Sequence, residues 1–122
     1  MGDDRRALGQ LGEDLAVEAL GRNGYHILAR NFRCRHGEMD IIASHGGVLV
    51  FIEVKTRRSC GYGPPAEAVT FAKQQRMARI AQFYLNQGRH IDRDCRFDVV
   101  SVLLQPGKAA QVEIIAAAFE LS

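Results

Sequence analysis

Three residues near the middle of the chain have the types and spacing to do chemistry: Asp40, at the end of Gly37-Glu-Met-Asp40, and the Glu53 and Lys55 of Glu53-Val-Lys55. Carboxylate oxygens are the hard ligands that Mg²⁺ prefers, usually one or two of them, with waters and substrate phosphate completing the octahedron. A cation so held can lower the pKa of a water and stabilise charge on a phosphate. A neighbouring lysine can hold the attacking water or neutralise charge in the transition state. The set therefore suits metal-assisted phosphodiester hydrolysis. It equally suits a cross-strand salt bridge, which acid–base pairs on adjacent strands commonly form, and these three residues alone do not decide between the two.

Residues two apart on a strand share a face, so Glu53 and Lys55 are expected to point the same way and Val54 the other. The runs Glu38 to Ser44 and Val48 to Thr56 flank His45-Gly46-Gly47, a hairpin signal. A two-residue Gly46-Gly47 turn would set Asp40 opposite Glu53. A four-residue loop from Ser44 to Gly47 would set it opposite Phe51, still on the Glu53 face, and only an odd-length loop would turn it away. The run Val48-Leu-Val-Phe-Ile-Glu-Val54 is apolar on both faces over most of its length, as a central strand covered by helices on both sides would be.

Two helices are expected to frame this hairpin. Over residues 8 to 22, Leu8, Gly12, Leu15, Ala16, Ala19 and Leu20 fall on one side of a helical wheel, and Asn23-Gly24 supplies a stop. Glu13 borders that apolar arc, where it can reach in to a sheet edge or out to water. A second helix is expected from Ala66 to Gln87, after the Gly61-Tyr-Gly-Pro-Pro65 loop. Its inward face is Val69, Met77, Ile80 and Tyr84, and Lys73 and Arg76 fall within the same arc. Cations placed there are costly unless they meet carboxylates or phosphate, although both stems can also snorkel along the helix flank. With strands at Tyr25–Phe32, Phe97–Leu104 and Val112–Ala118, the order α-β-β-β-α-β-β describes an α/β layered domain with a mixed sheet.

The bulk properties narrow the context. A chain of 122 residues is the size of one domain, 1–122, with enough apolar content for a single core. It has no apolar run of membrane-spanning length and its charged N-terminus lacks a secretory core, so it reads as soluble, cytoplasmic and without a membrane partner. Cys34, Cys60 and Cys95 are too scattered for a disulfide framework, and Cys34 with His36 lacks the second pair that a zinc site needs. The net charge of +2 does not by itself argue for nucleic acid. Arg30, Arg33, Arg35 and His36 form one basic cluster and Lys55, Arg57 and Arg58 another, a pattern that solvated surface also shows.

A helix with a Glu, then a G-E-x-D strand, a hairpin and an E-x-K strand resembles the PD-(D/E)xK nuclease superfamily, and within it the YraN-like family of bacterial proteins. The pattern is also similar to archaeal Holliday-junction resolvases. The likeness runs nearly end to end. It includes Gly12-Glu13, Arg30-Asn31, Gly37-Glu38, Asp40, Glu53-Val-Lys-Thr-Arg57, Lys73, Arg76 and Arg96-Phe-Asp-Val-Val100. It implies a restriction-endonuclease-like αβα domain with Asp40 and Glu53 as ligands of Mg²⁺ or Mn²⁺, Lys55 as the catalytic lysine and Glu13 as an accessory acid. Met39 stands where the superfamily name has proline, which spares the coordinating aspartate. Asp98 belongs to the matched pattern without an implied role, and Arg96 or Arg76 is its expected ion-pair partner.

Two functions follow as expectations. One is a metal-dependent nuclease acting on branched or flapped DNA, in preference to RNA, with Lys73, Arg76, Arg57 and Arg30 contacting the backbone. Cutting both strands of a junction would require a homodimer. The other is a non-catalytic nucleic-acid- or protein-binding module on the same frame.

Overall fold

The computed structural model describes residues 2–58, 69–88 and 94–120. Helix α1 (Gly2–Arg22) leads into strands β1 (His26–Cys34), β2 (Gly37–His45) and β3 (Val48–Arg57). Helix α2 (Phe71–Asn86) and strands β4 (Cys95–Leu103) and β5 (Gln111–Ile115) follow. The strands form one sheet in the order β1-β2-β3-β4-β5. Neighbours are antiparallel except β3 and β4, which are parallel, so the sheet is mixed.

The core divides by the period-2 alternation of the central strands. On one side Met39, Ile42, Leu49, Phe51, Phe97 and Val99 meet Met77, Ile80 and Ala81 of α2. On the other, Ile41, Ala43, Val50, Ile52, Val100 and Val102 meet Ala16 and Leu20 of α1. The two helices thus cover opposite faces of an α/β sandwich, and β3 is buried on both, as its apolar run requires.

Element boundaries differ from the sequence reading where its signals were weak. Helix α1 starts six residues before Leu8, in a charged stretch that carries no apolar periodicity. Helix α2 starts at Phe71 and not at Ala66, because Thr70 is extended and its hydroxyl accepts the Lys73 N–H at 3.2 Å, a side-chain N-cap. The glycine- and proline-rich loop expected at 61–65 lies outside the described residues, as does Cys60. The last strand ends at Ile115, short of the expected Ala118.

The approach of α1 to β3 depends on a missing side chain. A Cβ on Gly12 would lie 2.0 Å from Thr56 Oγ1 and 2.9 Å from Thr56 Cβ. Alanine in a helix ordinarily gains about 1 kcal/mol over glycine. Here Gly12→Ala is expected to reverse that sign and destabilise the fold by about 1–3 kcal/mol through overpacking, with Thr56→Gly restoring part of the loss. Thermal midpoints of the two single variants and the double variant check this, and a Gly12→Ala midpoint at or above the parent's would refute it.

Candidate active site

The β2–β3 ladder runs from His45↔Val48 to Ile41↔Ile52, the register of a two-residue Gly46-Gly47 turn. Continued by one residue, it sets Asp40 opposite Glu53. The pairing ends there and the strands part. Met39 and Ile42, three apart, both lie in the α2-side core, so the alternation of β2 breaks between them, at Asp40. Instead of standing squarely on one face, the Asp40 carboxylate turns toward β3, where its Oδ2 accepts the Val54 N–H at 2.8 Å.

Parting the strands opens a cavity of about 350 Å³, lined by Gly9, Glu13, Asp40, Val54, Lys55 and Thr56. Helix α1, drawn in at Gly12, brings Glu13 to its wall. Glu13 is buried, and its Oε1 accepts from Arg30 Nε at 2.9 Å and Asn31 Nδ2 at 3.1 Å. Asn31 reaches it from a left-handed backbone conformation (φ 54°), which asparagine tolerates better than most residues. Arg30 Nη2 also meets Asp14 at 2.7 Å.

Glu53 is buried on the α2 side, where its Oε1 lies 2.5 Å from Lys73 Nζ. Although it does not line the cavity, it acts on Asp40 electrostatically. Burial is the main cause that pushes the Asp40 carboxyl up to about 7, and the charge of Glu53 is the next. Among the described residues Asp40 Oδ1 and Glu53 Oε2 make no hydrogen bond and Lys55 has no ion-pair partner.

The structure thus brings Asp40, Glu13 and Lys55 onto one cavity with Glu53 beside it. Glu38, also near in sequence, is directed away and pairs with Arg33 across β1 and β2 at 3.2 Å. Lys73 meets a carboxylate, as its place in the inward arc implied. Arg76 does not. It is exposed, and its aliphatic stem packs within 3.1 Å of where a Gly37 Cβ would stand. Arg57 is half-buried at the end of β3. No group of three or more His, Cys, Asp and Glu side chains closes into a metal-binding arrangement among the described residues. A two-carboxylate donor set still fits the chemistry of Mg²⁺, which takes one or two carboxylates and keeps its waters.

A second polar cluster escaped the sequence reading except for one pair. Asp98 is fully buried on β4, and Arg96 grips it through Nε at 2.9 Å and Nη2 at 3.0 Å. Tyr25 Oη donates to Asp98 Oδ2 at 2.7 Å and Ala117 N to Oδ1 at 2.9 Å. The Tyr25 ring stacks on His45 at 4.0 Å, and Arg96 Nη2 lies 3.0 Å from His45 Nδ1. Burial, then the Asp98 hydrogen bond, pushes the Tyr25 hydroxyl up to about 12. No local pattern marks Tyr25 or His45, because their partners are far away in the chain. Of the two cations expected for Asp98, Arg96 is the one it meets.

Residues 12–102 match the profile of the uncharacterised protein family UPF0102. The chain belongs to this family. A UPF0102 protein of Symbiobacterium thermophilum is 52% identical over 114 residues, covering 93% of this chain and 97% of that protein. One from Geobacter metallireducens is 50% identical over 117 residues, covering 96% and 95%, and one from Nocardia farcinica is 48% identical over 116, covering 95% and 91%. The UPF0102 profile begins at Gly12, the glycine that lets α1 reach β3, and takes in Asp40, Glu53, Lys55, Lys73 and Asp98.

Two predictions follow for the metal-free protein in chelator. An Asp40 pKa raised from 3.8 to about 7 means that the folded state holds a proton the unfolded state has released between those values. Stability therefore falls as pH rises through that window. Asp40→Asn removes the dependence and is expected to stabilise by roughly 1–3 kcal/mol at pH 8, with no gain near pH 4. Denaturant midpoints of both proteins across pH measure it, and parallel curves would rule it out. Arg96→Ala strands the buried Asp98 charge and is expected to cost about 3–5 kcal/mol, read from the same titrations at neutral pH.

Proposed function

We propose that the chain is a metal-dependent nuclease that hydrolyses phosphodiester bonds in DNA, branched or flapped DNA above all. The observation that carries this reading is Asp40: a half-buried carboxyl with one free oxygen, raised toward neutrality by burial and then by Glu53, on the same cavity as a lysine that has no ion-pair partner among the described residues. Perturbed carboxylates in a cleft mark candidate sites. The resemblance to the PD-(D/E)xK superfamily supports the same assignment.

Asp40 and Glu53 would hold Mg²⁺ or Mn²⁺, which, when bound, withdraws charge from phosphate oxygens and acidifies a water. Asp40 must give up its proton to act as a ligand, and its raised pKa makes the carboxylate a strong donor near neutral pH. Lys55 orients the attacking water or meets the charge that builds on the phosphate. Glu13, held by Arg30 and Asn31, is the accessory acid on the opposite wall. Arg76 is exposed for backbone contact. Arg57 flanks the end of β3, and Lys73 and Arg30 contact phosphate when they exchange it for Glu53 and Glu13. Cutting both strands of a junction requires a second copy of the chain.

A binding module without catalysis is the second reading. Its support is that Glu53 and Glu13 are each already neutralised by a cation of the chain itself. The deciding experiment is cleavage of branched, flapped, nicked and linear DNA with Mg²⁺ and Mn²⁺. The parent protein is expected to cut at least one of these, with chelator abolishing the activity and Lys55→Ala lowering it by about 100-fold or more. No cleavage in any arm, with DNA binding indifferent to Asp40→Ala and to chelator, would replace the nuclease by the binding module.

A further inference from the structure

Two of the four basic residues clustered along β1 and its turn are accounted for, since Arg30 is engaged by Glu13 and Asp14, and Arg33 by Glu38. Arg35 and His36 instead face α2. With Arg79, Gln82, Phe83 and Asn86 they line a cleft of about 410 Å³ that is separate from the Asp40 cavity. The helix builds its wall from two ridges, with Arg79 and Phe83 four apart and Gln82 and Asn86 four apart. Among the described residues no carboxylate lines the cleft, and neither Arg35 nor Arg79 has an acidic partner. Arg35 Nε donates only to His36 Nε2, at 3.4 Å. The His36 ring meets Phe83 edge-on, with centroids 6.2 Å apart, so an aromatic wall and two arginines line the same cleft.

The cleft also adjoins the candidate site. Arg76 lies three residues before Arg79, and Lys73, which holds Glu53, three before that. At the helical rise, Lys73 and Arg79 are only about 9 Å apart along the axis. A row of cations therefore leads along α2 from the site carboxylates to the aromatic wall.

We infer that this cleft binds an unpaired nucleotide of a DNA strand, its base against Phe83 and His36 and its phosphate between Arg35 and Arg79. Continuation of that strand to Asp40 rests on the nuclease reading, whereas occupancy of the cleft does not. The ring wall sets this ligand apart from an acidic peptide, because guanidinium groups alone would accept either. A recessed aromatic wall also favours an unstacked base over a duplex, since stacking on a side chain requires a free base face. The amides of Gln82 and Asn86, 3.0 Å apart and bonded to each other, stand where a base edge could exchange with them. The site would thus grip the single-stranded arm of a branched or flapped substrate.

The test is fluorescence anisotropy with the full chain in chelator, using a labelled oligothymidine strand, an abasic strand of equal length and polyglutamate as competitor. Arg35→Ala/Arg79→Ala is expected to weaken oligothymidine binding by about 10-fold or more, and to lower the slope of log affinity against log salt by about 0.7, for one phosphate no longer neutralised. The abasic strand should bind the parent protein about 10-fold more weakly than oligothymidine. Arg22→Ala, on an exposed ion pair of α1, should leave affinity unchanged. Parent-like binding by the double variant, equal affinity for the abasic strand, or displacement by polyglutamate as effective as by DNA would each overturn the inference. A protein that cuts no DNA yet shows these shifts keeps the cleft and loses the nuclease reading. One that cuts DNA without them loses the cleft alone.

Discussion

A buried backbone N–H that loses its strand neighbour must find another acceptor, and the candidate site is organised around one such group, that of Val54. Beyond Ile41↔Ile52 β2 no longer pairs with β3, and the Asp40 carboxylate takes the Val54 N–H in place of a main-chain carbonyl. That substitution keeps β3 ordered on its β4 side while its other edge opens into the cavity. It also commits one carboxylate oxygen to the fold and leaves the second for chemistry. The same aspartate is therefore both the closure of the sheet and the opening of the site.

Around it, each remaining acid is balanced by a cation from a different layer. Glu13 of α1 is met by Arg30 of β1, and Glu53 of β3 by Lys73 of α2. Buried ion pairs of this kind add little net stability, because desolvation consumes most of the attraction, but breaking one is costly. Their effect here is geometric. Both helices are pinned to the sheet at the level of Asp40, so the carboxylates hold their separation without a bound ion. The Asp98 cluster does the same for the α1 side of the sheet, tying the start of β1, the end of β2 and β4 to one fully buried charge.

Much of this was legible in the residues. The doubly apolar run of β3 placed it at the sheet centre, the glycine pair narrowed the hairpin to two even registers of which the two-residue turn is the one formed, and the wheel of α2 put Lys73 on the inward arc where it meets a carboxylate. Three things were not legible, each for a physical reason. The early start of α1 carries no apolar period. The start of α2 is decided by a single Thr70 hydroxyl acting as cap, in competition with the prolines upstream. The break of alternation at Asp40 depends on where two strands cease to pair, a long-range outcome with no local signature. Tyr25 and Asp98 are separated by 73 residues, and neither implies the other. Arg76 shows the limit of wheel reasoning, since a glycine on the neighbouring strand lets its stem lie flat and its charge escape.

The parallel pairing of β3 with β4 has a consequence for how the molecule comes into being. Parallel neighbours cannot be joined by a tight turn, so the chain must cross the sheet between them, and α2 is part of that crossing. Glu13, Asp40, Glu53 and Lys55 all precede the crossing, whereas Lys73 lies within it and β4, the strand that completes β3, comes after it. During synthesis from the N-terminus Glu13 soon gains Arg30, whereas Glu53 is made well before Lys73, and a non-local contact such as β3–β4 is slower to close than a local one. Glu53 is thus the acid of the site that reaches its final electrostatic state last, and a chain caught before that step holds it without its counter-charge. The charge balance around Asp40 is in this sense a property of the finished winding and not of the hairpin that carries the acids.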